Sequence, residues 1–290
     1  MASQKFIHDT IALVYDFDGT LCPLPMQEYT VLPSLGISPK EFWKEVKEEA
    51  INTQSEEMLV YMRLLFEKAE EKKVHISKEN LNKLAKKIIY FDGVETWFNR
   101  INEFVKAEGD GKVKIKHYVI SAGMLEVLEG ITIKKHFSNI FASAYHFDHH
   151  GRATFPKQLI TDTVKTQFLF RINKGKENIS ESINQHTPEH ERAIPFSNII
   201  YVGDGLTDVP SMTVTKQSGG HSVAVYEKKG LNACRDLLKA ERVHFIAPAN
   251  YSENSLLEKR MKLLLKSVIT SITYERELFF CRNEHNITKE

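Results

Sequence analysis

Two short segments of the chain hold pairs of carboxylates in glycine-containing turns. The first is Asp16–Thr20 (DFDGT), with acids two residues apart, and the second is Gly203–Asp208 (GDGLTD), with acids four residues apart. Taken alone, each segment could be an acidic turn or a helix N-cap. Taken together, Asp204 and Asp208 could approach one cation from one side and Asp16 from the other. Ligands that are all oxygen favour Mg²⁺, which commonly bridges carboxylates to a phosphate.

Both acidic segments directly follow short apolar runs that are rich in β-branched residues, as expected where a buried strand ends. Six such runs occur, separated mostly by helix-like stretches: Ile11–Tyr15, Ile115–Ile120, Ile140–Ala144, Ile199–Val202, Val223–Tyr226 and Val243–Ile246. Continuous apolarity predicts strands that are covered on both faces, as in a parallel α/β sheet. Ligands of such sheets bind at the carboxyl ends of the strands, where the acids lie.

The interval between the first two runs predicts an inserted module. It contains helical apolar spacing and no convincing strand. We therefore expect a Rossmann-like core formed by residues 1–22 and 92–290, interrupted by an α-helical cap at residues 23–91. The apolar stripe from Leu257 to Ile272 predicts a C-terminal helix packed on the core, and the polar stretch from Lys174 to Pro195 predicts a surface excursion.

Composition limits the classes of partner. Lys and Arg number 39 against 38 Asp and Glu, a net charge of +1, which provides no broad positive field for nucleic acid or an anionic membrane. Three separated cysteines form neither a disulfide framework nor a Cys-x-x-Cys metal site. The N-terminus lacks the pattern of a signal peptide, and no apolar run is long enough to span a bilayer. We expect a cytoplasmic protein with a small ligand, and its oligomeric state stays open.

The ordered motifs resemble those of the haloacid dehalogenase superfamily of phosphohydrolases. The matching positions are, in chain order, Asp16, Asp18 and Thr20, then Ser121 at the end of the second apolar run, and finally Asp204 and Asp208. The family also has a lone lysine upstream of its last motif. Lys165 is the preferred match because it opens a helix-like segment, and Lys157 is the rival.

Within the superfamily, the chain looks most like phosphoserine-phosphatase-like members with a helical C1-type cap. One position departs from them. The acid that reads the substrate amine in true phosphoserine phosphatases falls seven positions beyond the second Asp, where this chain has Pro25. Serine specificity is therefore not carried over.

The resemblance implies a route through an aspartyl-phosphate. Asp16 would be the nucleophile, and Asp18 the general acid and then base. Mg²⁺ would be held by Asp16, Asp204, Asp208 and the backbone carbonyl of Asp18. The groups expected to hold the phosphoryl oxygens are Thr20, Ser121, Lys165 and the backbone N–H groups near Ala122 and Gly123.

The resulting hypothesis is a Mg²⁺-dependent phosphomonoesterase acting on a small phosphorylated metabolite. A phosphotransferase would use the same residues, and a non-catalytic phospho-ligand sensor would be expected to have lost an acid. A 2-haloacid dehalogenase would not need Asp204 and Asp208. The histidines around Asp148 (His146, His149 and His150) could bind a transition metal, but their spacing fits a polar hairpin turn better. No dinucleotide fingerprint or P-loop motif occurs.

Overall fold

The structure is a computed structural model that describes residues 5–285. The signal-peptide argument and the outer limits of the predicted core use residues 1–4 and 286–290, which lie outside the described range. Within that range, every helix is too short or too polar to cross a membrane.

Seven strands form one sheet in the order β4-β3-β2-β1-β5-β6-β7. All neighbours pair in parallel except β3 and β4, which are antiparallel. The strands are β1 (Thr10–Tyr15), β2 (Lys114–Met124), β3 (Phe137–Phe147), β4 (Ala153–Gln158), β5 (Ile199–Gly203), β6 (His221–Tyr226) and β7 (Phe245–Pro248). Each of the six predicted runs overlaps a strand, although the last strand begins at Phe245 and not at Val243. The predicted α/β sheet is confirmed.

Helices cover both faces of this sheet and fill the interval after β1. In chain order they are α1 (Met26–Tyr29), α2 (Val31–Ser34), α3 (Pro39–Thr53), α4 (Glu57–Glu71), α5 (Lys78–Leu84), α6 (Val94–Glu108), α7 (Leu125–Leu128), α8 (Lys165–Lys174), α9 (Val209–Gln217), α10 (Leu231–Lys239) and α11 (Leu256–Glu284). Local sequence accounts for several of their ends. The hydroxyl of Ser255 accepts the N–H of Glu258 at the start of α11, and Gly175 takes a positive φ of 68° at the end of α8.

Every residue of β1 is buried, because alternate side chains enter two different cores. Ile11, Leu13 and Tyr15 face the core that contains α6, α11 and the helices of the insertion, whereas Ala12 and Val14 face the core that contains α8, α9 and α10. The predicted apolar stripe of α11 is buried in the first core. This arrangement fixes the central strand, whose carboxyl end carries Asp16.

The insertion, residues 23–91, is called the cap below; its exact limits stay a prediction. Helices α1–α5 lie within it. Hydrogen bonds and an ion pair join the cap to the core. Tyr145 of β3 donates its hydroxyl to the carbonyl of Met62 (2.8 Å), Lys78 forms an ion pair with Glu129 (2.7 Å), and Ala153 of β4 donates its N–H to the carbonyl of Ile76 (3.0 Å).

The predicted polar hairpin turn joins β3 and β4. Asp148 accepts the N–H groups of His150 and Arg152, each at 2.9 Å, and so closes the turn. The strand β4 that follows was missed from the sequence. It is a short edge strand that contains Pro156 and exposes Phe155, so it lacks the apolar pattern of the other strands.

The predicted excursion between α8 and β5 is organised around a single arginine. Arg171 is 4% exposed, and its guanidinium donates to four backbone carbonyls between 2.8 and 3.1 Å. Those carbonyls belong to Lys176, Asn178, Ile179 and Glu181. One buried cation thus replaces regular secondary structure in holding this segment.

A buried chain of hydrogen bonds supports the end of β1. Trp97 donates its indole N–H to the Tyr15 hydroxyl (2.9 Å), and that hydroxyl lies 3.2 Å from Nδ1 of His117. Nε2 of His117 lies 2.9 Å from Oδ1 of Asn102. Since the Asn102 oxygen can only accept, the proton sits on Nε2 and Tyr15 donates to Nδ1. Burial lowers the pKa of His117 to about 3, so the imidazole is neutral in the folded protein.

Candidate active site

The site forms where β1 and β5 end side by side, and Asp16 is its centre. The pairing of β1 with β5 continues one residue past β1, because Asp16 donates its N–H to the carbonyl of Val202 (2.9 Å). Its carboxylate is buried and lies 2.9 Å from Nζ of Lys165. Lys165 is the first residue of α8 and is 1% exposed. Two oppositely charged groups are thus held together out of solvent.

Asp208 completes this ion pair from the turn after β5. One of its oxygens accepts from Lys165 and from the Tyr201 hydroxyl, both at 2.7 Å, and the other accepts the N–H of Asp204 (3.0 Å). Each carboxylate oxygen of Asp208 therefore has a fixed partner. Tyr201 was not predicted as a site residue, because it lies inside the apolar run of β5.

Two glycines allow these acids to come close. Gly19 has a φ of 75°, and a Cβ there would lie 2.2 Å from Oδ2 of Asp204. A Cβ at Gly203 would lie 2.2 Å from Oδ2 of Asp208. Any larger residue at either position would displace a carboxylate.

Three carboxylates form a group suited to a hard cation. Oxygen atoms of Asp16, Asp204 and Asp208 all lie within 4.8 Å of one another. Burial raises the pKa of Asp16 to about 7 and that of Asp204 to about 8, and the negative charge of Asp208 adds to both effects. Burial would lower the pKa of Lys165, but the charges of Asp16 and Asp208 hold it well above its ordinary value. A single lysine leaves the group with excess negative charge, which a divalent cation such as Mg²⁺ would neutralise.

Asp18 points away from this group towards the cap. Its Oδ1 accepts the N–H of Met26 at the start of α1 (2.9 Å) and lies 3.6 Å from the Cys22 thiol. Its carboxylate is not part of the three-acid group. The use of its backbone carbonyl as a metal ligand stays a prediction. Burial and the charge of Asp16 raise the pKa of Asp18 to about 7. A carboxyl group with such a pKa can both give and take a proton near neutral pH.

Of the predicted phosphate-binding groups, Lys165 contacts Asp16, and Thr20 and Ser121 are both buried. Thr20 is fully buried, and within residues 5–285 its hydroxyl has no hydrogen-bond partner. Ser121 is buried in β2, but its hydroxyl accepts the N–H of Gly123 (2.9 Å), an N–H that was expected to reach a phosphoryl oxygen. Ala122, between them, is half-buried. The roles of these groups stay predictions.

The two candidate lysines are clearly separated in space. Lys165 contacts Asp16 and Asp208, whereas Lys157 lies exposed on β4. Only Lys165 of the two is positioned to act with the acids.

Two further residues near the site escaped the sequence analysis. Met26 packs against Gly123, where a Cβ would lie 2.1 Å from its Cε, and its sulfur accepts the N–H of Met124 (3.2 Å). Tyr251 donates its hydroxyl to the carbonyl of Thr20 (2.8 Å) and so supports the turn of the first motif. Both contacts join segments far apart in sequence, and no local pattern marks them.

Solved structures share this arrangement of strands and helices. A HAD family hydrolase from Salmonella enterica serovar Typhi superposes with a TM-score of 0.55 at 15% identity, over 83% of this chain and 68% of that one. A phosphoserine phosphatase, solved as a phospho-aspartyl intermediate analogue, superposes with a TM-score of 0.53 at 18% identity, over 88% and 99%. The chain has the haloacid dehalogenase fold.

Sequence comparison adds a relative without an assigned activity. An uncharacterised protein of Borreliella burgdorferi is 29% identical over 271 residues, which cover 85% of this chain and 93% of the relative. No protein-family model matches the chain.

Proposed function

We propose that this protein is a Mg²⁺-dependent phosphomonoester hydrolase that acts on a small phosphorylated metabolite through an aspartyl-phosphate. The observation that carries the proposal is the position of Asp16. Its carboxylate is buried between Lys165 and the acids Asp204 and Asp208, at the carboxyl ends of two parallel strands. Asp18 stands apart from them, on the side of the cap.

In the first step, an Asp16 oxygen attacks phosphorus in line as the bond from phosphorus to the leaving oxygen breaks. Asp18 donates its proton to that oxygen, and the alcohol departs. In the second step, Asp18 takes a proton from water, which attacks phosphorus. Inorganic phosphate leaves, and the carboxylate of Asp16 and the acid form of Asp18 are restored.

The remaining residues would stabilise the negative charge of the phosphoryl group. Asp16, Asp204, Asp208 and the carbonyl of Asp18 would hold Mg²⁺, which when bound offsets the charge of the phosphoryl group and lets two anions approach. Lys165 would contribute a second positive charge, and the Thr20 and Ser121 hydroxyls would hydrogen-bond phosphoryl oxygens. Among residues 5–285 the buried Thr20 hydroxyl has no hydrogen-bond partner. This supports its role, because a buried hydroxyl without a partner is costly unless a ligand satisfies it.

The test is phosphate release from a panel of phosphate monoesters, with Mg²⁺ or EDTA. We expect release by the wild type with Mg²⁺ and loss of release with EDTA. Asp16→Asn should abolish release, whereas Asp236→Asn, which changes an exposed acid on α10, should leave it unchanged. Release that survives both EDTA and Asp16→Asn would refute the proposal.

Two additions make the test specific for the route and for the acceptor. Denaturing the enzyme during turnover should trap phosphate on Asp16 in a form that hydroxylamine removes, because acyl phosphates react with that nucleophile.

Adding glycerol as an acceptor separates hydrolysis from transfer. A hydrolase forms inorganic phosphate in proportion to the alcohol released, whereas a phosphotransferase forms glycerol phosphate instead.

A further inference from the structure

One tyrosine near the end of the chain reaches the turn of the first motif. Tyr251 follows β7 and is fully buried, and its hydroxyl donates to the carbonyl of Thr20, 231 residues away in sequence, at 2.8 Å. Within residues 5–285 no second donor reaches that carbonyl. Tyr251 is therefore the group that satisfies the buried main chain of Thr20 on this side.

Tyr251 is itself fixed from several sides. Its N–H donates to the carbonyl of Asp92 (2.7 Å), and its carbonyl accepts from the guanidinium of Arg100. Its ring packs edge-on against Trp97, with the ring centroids 5.1 Å apart. Because both its main chain and its ring are held, the hydroxyl of Tyr251 has little freedom to move.

Arg100, which holds the carbonyl of Tyr251, is anchored to α11 by a buried acid. Its Nε lies 2.9 Å from Oε1 of Glu258, whose residue is 1% exposed. The other oxygen of Glu258 accepts the N–H of Asn254 at 2.6 Å. One guanidinium thus joins α6, α11 and the backbone of Tyr251 into a single support beneath the first motif.

The hydrogen bonds of Thr20 give this support a role in the reaction. Its N–H donates to the carbonyl of Phe17 (3.2 Å), and its carbonyl accepts from Tyr251, whereas its hydroxyl has no partner within residues 5–285. Fixing the peptide groups on both sides of a Cα also fixes the direction of its side chain. Donors placed in advance stabilise a transition state best, so the direction of this hydroxyl affects the rate.

We propose that Tyr251 is a positioning residue for phosphoryl transfer, holding Thr20 so that the threonine hydroxyl meets a phosphoryl oxygen. The inference rests on the proposed function, in which Thr20 binds the phosphoryl group. Tyr251 acts only through Thr20, because its own hydroxyl is occupied by the Thr20 carbonyl. Without that hydroxyl the carbonyl would be buried without a donor, which favours a rotated peptide and a misdirected side chain.

The first test is Tyr251→Phe, assayed with p-nitrophenyl phosphate and with the best other ester of the panel. We expect kcat/KM to fall by about 10-fold, the loss of about one hydrogen bond to a charged group. The loss should be equal for the two esters, because they share the phosphoryl group and differ in the leaving group. Damage to contacts with the leaving group would instead change the ratio between them.

Tyr118→Phe is the matched control. Tyr118 is also fully buried and donates its hydroxyl to an oxygen at 2.8 Å, but that oxygen belongs to Glu177, and the ring packs in the opposite core with α8 and α9. Its kcat/KM should stay within about twofold of the wild type.

Arg100→Lys tests the support behind Tyr251. Lysine keeps a positive charge beside Glu258 but lacks the planar fork that also reaches the carbonyl of Tyr251. We expect a smaller loss of kcat/KM, about 3-fold, and again the same for both esters.

A double-mutant cycle with Thr20→Val decides whether Tyr251 acts through Thr20. Valine removes the hydroxyl and keeps a branched side chain of similar size. In the Thr20→Val background, Tyr251→Phe should lower kcat/KM by less than about a further twofold, whereas independent effects would multiply. A tyrosine that only stabilised the fold would cause the same loss in both backgrounds.

Orthovanadate gives a readout without turnover, because with Mg²⁺ it mimics the transferring phosphoryl group. Its binding should raise the thermal midpoint of the wild type in proportion to its affinity. The dissociation constant obtained from a titration should rise by about 10-fold in Tyr251→Phe and stay unchanged in Tyr118→Phe. Midpoints without vanadate report any loss of stability separately.

The outcomes distinguish this inference from the proposed function. If the wild type shows no release that requires Mg²⁺ and Asp16, the proposed function is overturned. If it does, and Tyr251→Phe keeps the wild-type kcat/KM and vanadate affinity, only the inference is overturned. A loss that differs between esters, or that persists in full beside Thr20→Val, also overturns the inference alone. Should Tyr251→Phe fail to fold, Arg100→Lys in both backgrounds decides the same question.

Discussion

Helix α8 carries two buried cations, one near each end, and their surroundings differ sharply. Lys165, its first residue, contacts two carboxylates at 2.7 and 2.9 Å, and a third acid, Asp204, completes the group. Arg171, six residues later and about 9 Å along the axis, contacts four neutral backbone carbonyls. Both side chains are almost completely buried.

Burial of a charge therefore does not by itself mark a catalytic residue. Arg171 donates its two terminal guanidinium nitrogens to neutral backbone carbonyls, and these bonds fix a surface segment. Lys165 is surrounded by more negative charge than it can neutralise, so its surroundings favour a further cation. The partners of a buried charge, and the net charge that they leave, distinguish the two roles.

Replacing Lys165 should have the largest effect on activity. We expect Lys165→Met to lower kcat/KM by about 10²–10³-fold, because it removes a positive charge beside the transferring phosphoryl group. Lys157→Met should change it by less than about twofold, since Lys157 is exposed on β4. Steady-state kinetics on the best substrate of the panel would measure both. Equal losses in the two variants would mean that position in the fold does not distinguish these lysines.

Replacing Arg171 should affect stability instead. We expect Arg171→Leu to lower the free energy of unfolding by about 2–3 kcal/mol, because four carbonyls lose their donor. Protease cleavage should appear between residues 176 and 185, while the kcat/KM of the folded protein stays within about twofold. Urea unfolding is the measurement, with Lys259→Leu on the exposed face of α11 as a control. A large loss of kcat/KM at low temperature would contradict the separation of the two ends of α8.

A smaller and more local effect is expected from the two glycines around Asp204. Gly203→Ala should raise the Mg²⁺ concentration for half-maximal activity by about 10-fold or more, since its Cβ would displace Asp208. Gly205→Ala should have little effect, because in the described part of the chain no atom lies within 4 Å of that Cβ. Titration of activity with Mg²⁺ tests both. An unchanged Mg²⁺ requirement in Gly203→Ala would argue against Asp208 as a ligand.

The smallest expected effect is on the pH dependence of stability. It comes from His117, a buried group that is neutral rather than charged. Its pKa is about 3 in the folded protein and about 6.5 when unfolded. The unfolded chain therefore binds an extra proton between these values, and stability falls as the pH drops below 6.5. At pH 5.5 the loss from this group is about 1.4 kcal/mol.

The matched variant for this effect is His117→Gln. Its stability should lack this part of the pH dependence, although its stability at pH 8 is lower because the hydrogen bonds to Tyr15 and Asn102 change. Urea unfolding at pH 8 and 5.5 gives the change in the free energy of unfolding with pH for each protein. Equal slopes for the wild type and His117→Gln would show that His117 is protonated in the folded state.

The sequence was sufficient for much of the fold and for the acids of the site. The apolar runs predicted six strands because most of them are buried on both faces, as β1 and β5 are throughout. The acids followed because parallel strands end at one edge. The sequence did not predict β4, because its exposed face and Pro156 remove the apolar pattern. Lys165 and Lys157 could not be separated because both precede the last motif.

The position of β1 in the middle of the sheet has a consequence for how the protein is made. Its two neighbours begin about a hundred residues later, at Lys114, and nearly two hundred residues later, at Ile199. During synthesis, Asp16 leaves the ribosome early but has no strand on either side until these segments emerge. Pairing at such separations is slow. Asp16, Asp204 and Asp208 can therefore meet only after more than two thirds of the chain exists, so a shorter nascent chain lacks the proposed phosphatase site.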